Sequence, residues 1–94
     1  MPIVCIGFLS ARGDGPLRGH GTFHIPRWRL RLHDCACFSG PSGDWIALPS
    51  KPRRTEGKDG FTPCVSFDDA DTARDFGRAA LAALDAYRPD WRGR

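Results

Sequence analysis

Hydrophobic and polar positions alternate with period two through residues 27–33, with Trp28, Leu30 and Leu32 on one side and Arg27, Arg29, Arg31 and His33 on the other. That spacing sends neighbouring side chains to opposite faces of a strand, whereas a helix would scatter the arginines around its circumference. Residues 39–44 carry two glycines and a proline, a turn composition. Residues 45–48 then read as a short returning strand, ended by Pro49, which has no N–H to give a ladder. The pattern therefore predicts a β-hairpin over residues 27–51, apolar on one face and basic at its start and just past its end.

The same reasoning extends along the chain. Residues 3–9 form a continuous apolar run, β-branched at its start, which predicts a largely buried strand. Residues 12–16 are a turn cluster, expected to be a mobile loop. In residues 20–25 Phe23 and Ile25 alternate against Thr22 and His24, and Pro26 ends or bends that strand. Residues 50–60 hold no apolar residue except Pro52 and are expected to be an exposed, flexible loop. Residues 61–67 alternate again, with Phe61, Pro63, Val65 and Phe67 on one face, and Pro63 argues for an edge or a bulge.

Asp68 or Asp69 is placed to cap a helix, with further acids where the macrodipole favours them. Ala73, Phe76, Ala80, Ala83, Leu84 and Tyr87 recur at helical spacing and make one apolar stripe. Pro89 closes the helix and residues 88–94 read as a flexible tail. The expected fold is α+β, one domain over residues 1–94, with a curved antiparallel sheet of about five strands and one C-terminal helix covering one of its faces.

Charge is unevenly spread. The net +3 of the 94 residues is concentrated in residues 1–64, where nine Lys and Arg stand against five Asp and Glu. A basic front permits a polyanionic partner without requiring one. No segment approaches the roughly 18 apolar residues needed to span a bilayer, so no membrane partner is expected. Residues 1–9 lack a basic leader and a cleavage site, and the four cysteines are therefore expected to be reduced thiols of a cytoplasmic protein.

The basic residues are the leading candidates for chemistry. Arg27, Arg29 and Arg31 on a strand, and Lys51, Arg53, Arg54 and Lys58 beyond the hairpin, suit phosphate oxygens. Trp28, Phe38 and Trp45 offer stacking faces for bases. The competing reading is a solvated basic face and core aromatics, on an interaction module that binds a protein partner. A metal site is not expected: Cys35 and Cys37, with His33 taken to share their face, lack paired Cys-x₂-Cys spacing, and Cys5, Cys64, His20 and His24 lie on other strands. Catalysis is not expected either. His33 and Asp34 are adjacent and so point apart, and no phosphate cradle, paired carboxylates or cofactor fingerprint is present.

His33-Asp34, an alternating strand, a glycine turn and the run Ala47-Leu-Pro-Ser-Lys together resemble the SpoVG (stage V sporulation protein G) family. The pattern extends over residues 20–87, and the specific match lies at His33, Asp34, Ala47, Pro49, Ser50 and Lys51, with Leu48 where that family usually has Met. Residues 26–29, the Cys-x-Cys and the Asp-rich helix start depart from it. The resemblance implies a small bacterial or phage homodimer that regulates by binding DNA or RNA through its basic segment, here Lys51, Arg53, Arg54 and, by position, Lys58. No cofactor is implied.

Overall fold

The computed structural model describes residues 1–55 and 58–93, and side chains outside residues 54–59. The fold is α+β, with strands β1 (Val4–Ser10), β2 (Leu17–Ile25), β3 (Leu30–Gly40), β4 (Gly43–Ala47), β5 (Ser50–Thr55) and β6 (Lys58–Pro63) followed by helix α1 (Ala70–Tyr87). The first four make an antiparallel sheet in the order β1-β2-β3-β4, and β5 and β6 pair only with each other. Among the described residues the strands thus number six in two sheets, where about five in one sheet were expected. No described helix is long and apolar enough to cross a membrane.

α1 lies across the inner face of the four-stranded sheet and reaches both edge strands, β1 and β4. Asp69 is the cap: its carboxylate accepts from the Thr72 backbone N–H at 2.9 Å and from the Thr72 hydroxyl at 2.7 Å. These bonds hold its pKa below the ordinary carboxylate value. Phe76, Ala80 and Leu84 supply the buried stripe, while Ala73 and Tyr87 at its margins stay exposed. Phe76 meets Phe23 edge-on at 6.3 Å and Phe67 at 5.3 Å, so the core is aromatic at its centre.

Three strands of the sheet each carry an extra residue, the kind of insertion that bends a strand. Ile6 in β1, Arg18 in β2 and one of His33 and Asp34 in β3 fall where the register shifts. Each bulge breaks strict alternation, so Cys5 and Phe8, and likewise Leu32 and Cys35, are buried although three positions apart. Asp34 marks its bulge with a left-handed φ of 57°. Beside the Arg18 bulge, Gly19 lets two strands close up: a Cβ there would lie 2.3 Å from the Leu9 carbonyl oxygen.

The strand expected from Arg27 onward starts later. Pro26 takes the first position of a 3-10 turn over Pro26–Trp28, which its fixed φ favours, and Arg29 follows in the left-handed region at φ 50°. Alternation at 27–29 is thus a turn's accident, and of Trp28, Leu30 and Leu32 only Leu32 is buried. The turn at 39–44 is shorter than expected, since Gly40 and Gly43 already pair.

Residues 50–60 are not one loop. β5 and β6 form a hairpin ribbon from Ser50↔Pro63 to Thr55↔Lys58, closed at its base by Cys64 N–H donating to the Pro49 carbonyl at 3.0 Å. A ribbon stabilised by its own ladder needs no apolar alternation, which is why the pattern missed it. The strand expected to run to Phe67 ends at Pro63.

The expected tail is also corrected. Trp91 is 2% exposed and belongs to the core. Its indole N–H donates to Asp85 Oδ1 at 2.8 Å, and Arg92 bonds Asp85 Oδ1 at 2.9 Å and Asp44 Oδ2 on β4 at 2.7 Å. The Ser39 hydroxyl, at 2.6 Å, and then Arg92 hold the Asp44 carboxyl below the usual carboxylate range. A depressed pKa stabilises the fold above about pH 4, and that contribution is lost as pH falls through the depressed value. Asp44→Asn should therefore flatten the loss of thermal stability as pH falls below about 4. An unchanged pH profile would show that Asp44 does not couple protonation to folding.

Candidate nucleic-acid interface

The helix covers only the inner face of the sheet. On the outer face, Phe38 of β3 and Trp45 of β4 are cross-strand partners whose rings stack at 4.8 Å between centroids with planes 10° apart. Leu48 and Pro49 lead from β4 into the ribbon, so Ser50 and Phe61 come back against this corner. Between Phe38, Trp45, Leu48 and Phe61 lies a cleft of about 480 Å³, with His20 and Asp34 also lining it. Phe61 is 68% and Trp45 44% exposed, an unusual cost for aromatic rings that only pack.

The structure divides the expected basic residues between two places. Lys51 and Arg53 are exposed and alternate on one face of β5, opposite Thr62 and Gly60. Arg53's guanidinium lies over Gly60, where an added Cβ would stand 3.4 Å from it. Phe61, paired with Pro52, occupies the other face of the ribbon and looks into the cleft. Arg54 and Lys58 are on the ribbon by backbone position, and their side chains lie outside the described residues. Arg27, Arg29 and Arg31 do not share a strand face. They sit in the turn, at the left-handed residue after it, and on β3 opposite His24.

Of the expected stacking residues, Phe38 and Trp45 line the cleft, whereas Trp28 stands exposed in the turn. Phe61 escaped notice as a site residue. Its pairing with Pro52 depends on a hairpin that no apolar pattern announces.

Three of the cysteines, Cys5, Cys35 and Cys37, are buried in the core. Cys35 and Cys37 are fully buried on the helix side, away from exposed His33, because the bulge after Leu32 reverses the alternation before they are reached. Burial pushes both thiols up to about 12, with a neighbouring cysteine adding to it in each case. Cys5 is also raised, chiefly by burial. Thiols in that state are poor nucleophiles and poor ligands. No group of three His, Cys, Asp or Glu able to hold a metal occurs among the described residues. In the folded protein a thiol reagent should modify exposed Cys64 rapidly and Cys35 and Cys37 only on unfolding, as read by mass spectrometry. Equal labelling of all would contradict the buried placement.

The chain matches no protein-family model, no curated protein and no solved structure.

Proposed function

We propose that the protein is a nucleic-acid-binding protein that takes single strands across the outer face of its sheet. The observation that carries this reading is the cleft itself: a stacked Phe38–Trp45 pair and an exposed Phe61 stand beside a ribbon bearing Lys51 and Arg53. Unpaired bases stack on such rings irrespective of sequence, while guanidinium and ammonium groups follow the phosphates. Paired bases would bury their faces against one another and gain nothing from the aromatic walls. Asp34 and His20 offer base edges an acceptor and a second polar partner. Arg54 and Lys58 add positive charge to the same segment by sequence, and Arg27, Arg29 and Arg31 add more around the β2–β3 turn.

The resemblance at His33, Asp34, Ala47, Pro49, Ser50 and Lys51 supports the same class, a SpoVG-like, cytoplasmic, bacterial or phage regulator rather than an enzyme. Binding to single- and double-stranded DNA and RNA, each at two salt concentrations, tests the reading. Salt-sensitive binding of single strands is expected, and affinity for none of the four polymers would reject it.

A homodimer is part of this proposal. Edge strand β1 exposes Val4, Ile6 and Leu9, an apolar row next to an unpaired strand edge. Gly77 on α1 also faces open space. A two-fold axis at these surfaces would cover them and give one body two ribbons, raising avidity for a polyanion. Sedimentation equilibrium at micromolar concentration should give twice the 10.4 kDa chain mass, and a clean monomer would remove the paired-ribbon mechanism. The alternative, a module that binds another protein, draws on the same β1 row and predicts a stoichiometric protein partner with no nucleic acid.

A further inference from the structure

We propose that a second cavity, between the β1–β2 connection and the turn after α1, binds a small oxyanion through Arg18 and Arg88. This site shares Leu17 with the aromatic cleft but uses other charged residues, and it does not depend on the nucleic-acid reading. The cavity measures about 570 Å³ and is lined by Ser10, Arg18, Arg88, Asp90 and Trp91 among others.

Arg18 is the reason to look for a ligand. It is the extra residue of the β2 bulge, and its Nε is buried with no hydrogen-bond partner. Buried polar groups in folded proteins are nearly always satisfied, and an orphaned charged donor costs more than a neutral one. Arg18 acts electrostatically on Asp44, whose oxygens already accept from Ser39 and Arg92. Arg18 thus lines the cavity with an Nε that finds no acceptor among the described residues.

Arg88 supplies a second set of donors. Its guanidinium carbon lies over the Phe8 ring, 5.4 Å from the centre, a cation–π contact that helps to hold the group in position and uses none of its N–H donors in a hydrogen bond. Its side chain makes no hydrogen bond to a described residue. The two arginines outnumber Asp90, so the lining carries one net positive charge. An oxyanion with several acceptor oxygens, phosphate or carboxylate, would satisfy both forks, where a halide could not bridge them.

Thermal unfolding with millimolar inorganic phosphate, acetate or chloride, at one pH and ionic strength, tests the site. Phosphate or acetate should raise the midpoint in a saturable way that chloride does not reproduce, and the arm that responds identifies the ligand chemistry. Arg18→Met, which keeps the apolar stem, should fold at least as stably as the parent and bind the anion at least about tenfold more weakly. Arg88→Met gives the same reading should the first variant fail to fold. Lys51→Ala/Arg53→Ala should keep the response. Equal midpoints in all three salts, a response retained in both Met variants, or one lost only in the ribbon variant would overturn the proposal.

Discussion

Replacing Trp91 by Ala is expected to remove about 3–5 kcal/mol of folding stability, the range for truncating a large buried aromatic. Domains of this size have only about 5–15 kcal/mol in total, so the variant should be marginal at room temperature. Trp91 is 2% exposed, its N–H is bonded to Asp85, and Arg92 lies over its ring at 4.6 Å. Arg92 in turn reaches Asp44 on β4, so the turn after α1 is fastened to the far edge of the sheet. Losing the ring opens a void between helix and sheet and frees that fastening together. The unfolding midpoint should fall by more than about 10 °C, whereas Trp91→Phe should retain most of it. A change below about 1 kcal/mol in urea titration would place residues 88–93 outside the cooperative unit.

Nothing in the sequence near Trp91 signals this role. Pro89 correctly ends the helix, but whether the next turn docks depends on Asp44, a residue almost half the chain away. α1 itself was legible, because Phe76, Ala80 and Leu84 repeat at its own period and Asp69 stands at its start. The core positions Phe8, Phe23, Ile25 and Leu32 were also within reach of pattern, since strands that pack on one helix must present one apolar face. What pattern could not supply was register. Each bulge adds one residue whose presence is decided by the partner strand, so Cys35 and Cys37 were placed on the face of His33 although they lie on the buried one. The ribbon shows a different failure. Its residues are polar or exposed on both faces, and only pairing between β5 and β6 defines it. The basic residues of the candidate site were visible as a cluster, but the split between ribbon and β2–β3 turn was not.

The second large effect concerns the cleft. Replacing Trp45 and Phe61 together by Ala should weaken single-strand binding by about 1–3 kcal/mol per base that loses its ring, roughly five- to 150-fold for each. The salt dependence should stay unchanged, because no phosphate contact is removed. Lys51→Ala/Arg53→Ala/Arg54→Ala should act in the opposite way, lowering the slope of log affinity against log salt by about two to three units. Stability should move little in the triple variant, as Lys51 and Arg53 are exposed. The two variants thus separate stacking from phosphate contact. If the aromatic pair changed the slope, or the basic triple left it alone, the division of labour between the two faces of the ribbon would be wrong.

The most direct test of binding at this face is ultraviolet crosslinking of the native protein to a short single-stranded oligonucleotide, with the attachment points mapped by mass spectrometry. The account predicts crosslinks on Trp45, Phe61 and the peptide carrying Lys51 and Arg53. Crosslinks confined to α1 or to the Trp28 turn, or none at concentrations where the strand is offered in excess, would contradict it.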